Sequence, residues 1–87
     1  MTEVLLNLTD LNAGETATID QISLPADDQQ FLMRMGFVPG TEVQFCRRAP
    51  LGDPMVFMID GAQIALRSET AAHILVCRSI PSNEVSR

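Results

Sequence analysis

Hydrophobic and polar positions alternate along several short segments of the chain, which is typical of β-strands. The pattern predicts five strands, at residues 16–22, 41–48, 55–59, 63–67 and 74–78. The dipeptide Asp60-Gly61 lies between two of them and is a strong hairpin signal. Five short strands joined by close turns predict a mainly β protein, built as a small closed or half-closed barrel.

A helical pattern interrupts this alternation and predicts an α-helix over residues 26–35. Gly36 is suited to the left-handed position that ends a helix, and Phe37 can fold back onto the last turn. A short helical turn is expected over residues 69–73, directly before the last strand, with Ser68 as its cap. Both helices therefore lie between strands of the barrel.

The inward face of the strands predicts the hydrophobic core. Residues at every second position of the strands should line the barrel, and two helical residues, Phe31 and Met35, should pack the helix across one end. The predicted barrel residues are Val43, Phe45, Phe57, Ile59, Ile64, Leu66, Ile74 and Val76.

The ends of the chain are predicted to be less regular than its centre. Residues 7–14 form a lead-in with a turn, and residues 79–87 form a polar, flexible tail. Residues 1–78 then constitute one domain, since the sequence contains no repeat and no linker.

The composition narrows the classes of function. The chain has 87 residues, 46% of them hydrophobic, which suits one small folded domain. Its six basic residues are all arginines, and without a lysine it cannot form a phosphate-binding P-loop or a Schiff base. A formal net charge of −5 opposes binding to nucleic acid and to anionic membranes.

The cysteines and the single histidine limit the metal chemistry. Cys46, Cys77 and His73 cannot complete a four-ligand zinc site by themselves, and no CxxC pair is present. Without a signal peptide or a long apolar run, we expect a reduced, cytoplasmic protein whose cysteines fill apolar space. A disulfide between the cysteines is an alternative that the spacing leaves open.

Several motifs resemble the FeoA family, the small accessory proteins of bacterial ferrous iron uptake. They are MGFVPG at 35–40, APLGDP at 49–54, IALR at 64–67 and ILV at 74–76. The resemblance implies an SH3-like β-barrel with an inserted helix and no enzymatic activity. It also implies a role in regulating the FeoB-type ferrous iron transporter, by docking on its cytoplasmic GTPase part. The protein would then lie at the inner membrane only through that transporter.

The APLGDP loop supplies the candidate docking residues. Leu51 has no evident inward partner, so a rigid loop with an apolar tip is expected to contact the transporter. Arg47 and Arg48 flank the loop and can meet an acidic patch or act on GTP as an arginine finger. The candidate partner-binding residues are Arg47, Arg48, Pro50, Leu51 and Asp53. The alternative is that the loop residues serve turn geometry and the arginines are solvated; Arg67 is expected to pair with a local carboxylate.

Glu69 and His73 are the candidate metal ligands. Their spacing of four places both on one face of a helical turn, a donor pair that suits Fe²⁺ or Zn²⁺. Two ligands make a weak half-site, so we predict weak binding that promotes a symmetric homodimer, with no cofactor required. A metal-responsive sensor, related to the SH3-like domain of iron-dependent repressors, is thus the alternative function. The simpler alternative is that Glu69 and His73 lie on a solvated helix face and bind no metal.

Overall fold

The structure is a computed structural model that describes residues 2–80. It contains six strands and two α-helices, together with a 3₁₀ turn at Leu8–Asp10. The strands are β1 (Thr2–Asn7), β2 (Thr16–Ile22), β3 (Glu42–Arg48), β4 (Met55–Ile59), β5 (Ala62–Leu66) and β6 (Ile74–Ile80). The helices are α1 (Ala26–Arg34) and α2 (Ser68–Ala71). All strand pairs are antiparallel in the order β1-β6-β2-β3-β4-β5, which confirms the mainly β prediction.

The end of α1 has the geometry that the sequence predicts. The N–H of Gly36 donates to the carbonyl of Met33 at 3.1 Å, and the N–H of Phe37 donates to that of Leu32 at 3.0 Å. This is the Schellman arrangement, in which Gly36 takes a φ of 106°. It turns Phe37 into the core, where its side chain is fully buried.

The core forms on one face of the sheet. Phe57 lies at its centre, 6.2 Å from the ring of Phe37 and 5.5 Å from that of Phe45 between centroids. Seven of the eight predicted barrel residues are buried: Val43, Phe45, Phe57, Ile59, Leu66, Ile74 and Val76. The eighth, Ile64, and the helical residue Met35 are partly buried against this cluster.

The prediction that Phe31 packs across the end of the barrel is wrong, because 60% of its surface is exposed. Its neighbour Leu32 is the α1 residue that enters the core, at 1% exposure. Adjacent residues of a helix point in different directions, so Leu32 packs into the core while Phe31 stays at its rim.

Two features at the chain ends differ from the prediction. Strand β1 was not predicted, since Val4, Leu5 and Leu6 form an unbroken apolar run without alternation. It pairs with β6, which thereby becomes an interior strand and extends to Ile80. The predicted tail therefore begins too early, and its residues 81–87 lie outside the described part of the chain.

Candidate functional site

The loop between β3 and β4 is closed by its own backbone. The N–H of Gly52 donates to the carbonyl of Ala49 at 2.8 Å, and the N–H of Ala49 donates to that of Pro54 at 2.9 Å. Gly52 has a φ of +93°, which favours glycine at this turn. A register shift between Phe45 and Arg47 in the β3–β4 pairing precedes the loop. The loop is thus a fixed projection from the end of the β3–β4 pair.

Leu51 forms the tip of this projection. Its side chain is 97% exposed, the highest value among the exposed large hydrophobic residues of the described chain. Pro50 beside it is also exposed. Neither residue contributes to the core, so both are accessible, and their role in docking stays a prediction.

The two arginines before the loop differ in their surroundings. The guanidinium of Arg48 lies 6.0 Å from the ring centroid of Phe45 and donates from Nη1 to the carbonyl of Gly52 at 3.2 Å. Arg47 is exposed, and within residues 2–80 its side chain has no recorded hydrogen bond or ion pair. Arg48 therefore supports the loop, whereas the guanidinium of Arg47 is accessible to a partner.

Asp53 faces inward from the loop towards α2. Its Oδ1 accepts a hydrogen bond from the backbone N–H of Ser68 at 2.7 Å, and Arg67 Nη1 lies 3.8 Å from its Oδ2. The hydrogen bond from Ser68 lowers the pKa of the Asp53 carboxyl, and the charges of Arg67 and Arg48 act in the same direction. This carboxylate anchors the loop, and the expected local partner of Arg67 is Asp53 itself.

Glu69 and His73 do not share one helix. Helix α2 ends at Ala71, so His73 lies beyond the helix. The side chains of Glu69 and His73 are both exposed. Within the described residues no group of three or more histidine, cysteine or acidic side chains is arranged to hold a metal ion. The predicted half-site is at most a pair of exposed donors.

The two cysteines are not joined to each other. Cys46 and Cys77 are half-buried free thiols, so the structure contains no bridge between them. Burial raises the pKa of the Cys77 thiol, with the charge of Glu3 adding to the effect. Cys77 therefore remains protonated at neutral pH.

A groove between α1 and β5 is a further surface feature, which the sequence analysis missed. Its cavity volume is about 390 Å³, with Phe31, Leu32 and Met35 on the helix side and Ala65, Leu66 and Arg67 on the strand side. The sequence gives no direct signal for a groove, because Phe31, Met35 and Leu66 were all predicted as core residues. The exposed ring of Phe31 forms part of its rim.

Neither helix of the described chain is long and apolar enough to cross a lipid bilayer.

The FeoA domain family model matches residues 6–78 of the chain. A curated relative from Porphyromonas gingivalis, the Fe(2+) transport protein A/Fe(2+) transporter FeoB fusion protein, is 33% identical over 81 residues. The match covers 93% of this chain and 10% of the fusion protein, so the chain spans about a tenth of that relative.

Solved structures share the fold. The solution structure of iron(II) transport protein A from Clostridium thermocellum is 38% identical with a TM-score of 0.77, over 82% of this chain and 44% of that chain. The zinc complex of FeoA from Stenotrophomonas maltophilia, described as a prokaryotic SH3 domain protein, is 28% identical with a TM-score of 0.68, over 82% and 88%. The crystal structure of IdeR from T. acidophilum is 26% identical with a TM-score of 0.74, over 86% of this chain and 34% of that chain. The predicted SH3-like fold is confirmed.

Proposed function

From the membership of this chain in the FeoA family, we propose that it is a non-enzymatic accessory protein of ferrous iron uptake. It docks on the cytoplasmic GTPase part of a FeoB-type transporter. The fusion of a related domain to FeoB in the Porphyromonas gingivalis relative supports this partner. A fusion keeps two domains at high effective concentration, which is useful when the two act on one another.

The observation that carries the proposal is the exposure of Leu51 on an anchored loop. A leucine that is 97% exposed contributes almost nothing to folding, yet its loop is held by backbone hydrogen bonds and by Asp53. A preformed apolar tip loses little conformational entropy when it enters a pocket on a partner. We therefore place Leu51 at the centre of the docking surface, with Pro50 beside it.

The charges near the loop indicate an acidic partner surface. Arg47, Arg48 and Arg67 all lie around the loop, although the whole chain has a formal net charge of −5. Local positive charge on an acidic protein steers association and fixes orientation more than it adds affinity. Arg47 is the residue with a free guanidinium, so we assign it the contact with the acidic patch.

The test is a titration of the protein against the isolated GTPase domain, with binding and GTP turnover followed together. Leu51→Asp should leave the melting temperature nearly unchanged and weaken binding at least about tenfold, as expected for a central interface anchor. The matched control is Leu5→Asp, since Leu5 is a leucine that is 61% exposed on β1. This control should bind as the wild type does.

Two results would contradict the proposal. Equal binding by wild type and Leu51→Asp would remove the loop from the interface. A large loss of stability in Leu51→Asp would mean that Leu51 supports the fold. GTP turnover that rises on binding, and that requires Arg47, would support the arginine-finger version of the contact.

A metal-responsive sensor is the second candidate function. The zinc complex of the Stenotrophomonas maltophilia relative favours it. In this chain the exposed donors are Glu69 and His73, which require water, anions or a second molecule to complete a coordination sphere. The association of the protein with and without zinc tests this candidate.

A further inference from the structure

Strand β5 is an open and unprotected edge of the sheet. In the described chain it pairs with β4 alone, and its residues, AQIAL, include no charge, no proline and no bulge. The opposite edge strand, β1, carries the charged residue Glu3. Natural proteins usually protect an edge strand with such features, because free backbone groups attract a further strand.

The β4–β5 hairpin determines which backbone groups of β5 face outward. The two-residue turn Asp60-Gly61, with φ values of 52° and 83°, makes Ile59 and Ala62 a hydrogen-bonded pair. Hydrogen-bonded and non-hydrogen-bonded pairs alternate along an antiparallel ladder. The N–H and C=O groups of Gln63 and Ala65 therefore point away from β4, towards the open edge.

Pairing of this edge with itself brings opposite charges together. When two copies of β5 run antiparallel with Gln63 opposite the Ala65 of the other copy, Arg67 lies opposite Gly61 and beside Asp60 of that copy. Both charged residues are exposed, and the side chain of Arg67 retains 70% of its accessible surface. The same contact forms at each end of the pair, because the arrangement has twofold symmetry.

We propose that β5 is a homodimerisation edge, at which two copies of the chain join their sheets through Gln63 and Ala65 and form Arg67–Asp60 ion pairs at both ends. The occupant of the edge is a second copy, since Asp60 before the strand and Arg67 after it carry opposite charges that meet in this pairing. Arg67 lies near both surfaces, but the edge of β5 is distinct from the tip of the loop at Leu51, and pairing of two copies does not depend on the proposed function.

The groove beside β5 fits the same arrangement. Ile64 is half-buried and lies on the twofold axis of the pair, opposite the Ile64 of the other copy. The exposed ring of Phe31 stands at the rim of the groove on the neighbouring helix. An added strand would cover apolar surface that the monomer leaves open, while Asp28, the acidic residue of this groove, stays at its rim.

The size and charge of the contact set its strength. A five-residue strand buries less area than a standard stable interface of about 800 Å² per partner. Each copy also has a formal net charge of −5, and Arg67 is shared with Asp53 of its own chain. We expect a transient dimer with a dissociation constant on the order of 1 mM.

Sedimentation of the full chain between about 10 µM and 2 mM tests the association. Wild type should change from monomer to a mixture of monomer and dimer over this range, and its Gln63 and Ala65 amide NMR signals should shift with concentration. Ala65→Pro removes an outward N–H and leaves the β4 ladder intact, so it should weaken dimerisation about tenfold. Asp60→Asn, which tolerates the positive φ, should also weaken it. A wild type that stays monomeric would overturn the proposal.

Cross-linking tests the register independently of affinity. In a chain with Cys46→Ala and Cys77→Ala, Ile64→Cys places two thiols opposite each other at a non-hydrogen-bonded pair, within reach of a disulfide. The matched control Ala62→Cys is exposed on the same strand but lies about 14 Å from its copy in this register. Oxidised glutathione should join Ile64→Cys readily and Ala62→Cys slowly. Equal rates would overturn the register.

Discussion

The carboxylate of Asp53 accepts a hydrogen bond from the backbone N–H of Ser68 at 2.7 Å, and this contact joins the loop after β3 to the first residue of α2. The same loop carries Leu51 at its tip, fully in solvent. Asp53 thus connects the orientation of the apolar tip to α2, in addition to the support that Arg48 gives the loop. Asp53 is therefore the anchor of this loop, whereas Leu51 and Arg47 are the contacts that we propose for the partner.

Removal of the anchor should make stability less dependent on pH. The Asp53 pKa lies below the ordinary value of about 3.9 because the ionised form accepts the Ser68 hydrogen bond. The contact stabilises the fold fully above about pH 4, and this contribution is lost as the pH falls through the lowered pKa. Asp53→Ala should therefore melt below wild type at pH 7, and the difference should shrink towards pH 3.

Thermal unfolding followed by circular dichroism at pH 7, 5 and 3 measures this difference. Asp20→Ala is the matched control, since Asp20 is an exposed aspartate on β2. It removes one negative charge without touching the loop. A gap between Asp53→Ala and wild type that stays constant down to pH 3 would show that the carboxylate does not act through its ionised form.

Replacement of Arg48 should lower the stability of the fold, whereas replacement of Arg47 should weaken binding to the partner. Arg48→Ala loses the contact with Phe45 and the hydrogen bond to Gly52, and should cost about 0.5–1 kcal/mol of stability. Arg47→Ala should leave stability within about 0.5 kcal/mol of wild type and weaken binding to the GTPase domain. The binding loss should diminish at high salt, because the expected contact is electrostatic.

Arg34→Ala is the control for this pair, since Arg34 is an exposed arginine on α1, away from the loop. Binding and unfolding measured for the three variants separate the roles. If Arg47→Ala and Arg34→Ala bind equally well, Arg47 has no part in docking.

Much of the fold follows from local pattern. Strands β2 and β4 have the predicted bounds, and the Asp60-Gly61 turn forms the predicted hairpin. One face of β4 meets the core at every second residue, whereas β2 alternates only up to the register shift between Ile19 and Gln21. The edge strand β1 could not be found in this way, since Val4, Leu5 and Leu6 are all apolar and its place depends on pairing with distant β6.

The candidate site was predicted in part. The exposure of Leu51 follows from its position between turn residues, where no inward direction is available. The role of Asp53 could not be read from the loop, because its partner Ser68 is 15 positions away and meets it only through the fold. The groove at Phe31 was missed for the same reason, since which of two adjacent apolar residues enters the core is a property of helix packing.

Replacement of the buried Phe57 by alanine should cost far more stability than the same replacement of the exposed Phe31. Phe57 is fully buried and touches both Phe37 and Phe45, so Phe57→Ala should cost about 3–5 kcal/mol. Phe31→Ala makes the same chemical change at a residue that is 60% exposed, and should cost less than about 1 kcal/mol. Denaturant unfolding of both variants tests the contrast, and similar losses would place Phe31 in the core.

Two glycines separate backbone strain from a steric clash. A Cβ on Gly36 would lie 2.7 Å from Cγ2 of Ile59, whereas a Cβ on Gly40 meets nothing within 4 Å. Both have positive φ, at 106° and 96°. Gly40→Ala should cost about 1–2 kcal/mol from the backbone alone, and Gly36→Ala about 2–4 kcal/mol in total. Equal losses in denaturant unfolding would mean that Ile59 moves aside freely.

Metal binding is predicted to be weak and to depend on a second molecule. Glu69 and His73 are exposed, and His73 lies beyond the end of α2, so one chain offers at most two donors there. Zn²⁺ should then increase the sedimentation coefficient of wild type at concentrations where the protein alone is monomeric, and His73→Ala should abolish this increase. Ala65→Pro should leave it intact, because the β5 edge is a separate surface from the histidine. Identical, zinc-independent profiles for wild type and His73→Ala would show that the histidine binds no metal and is simply solvated.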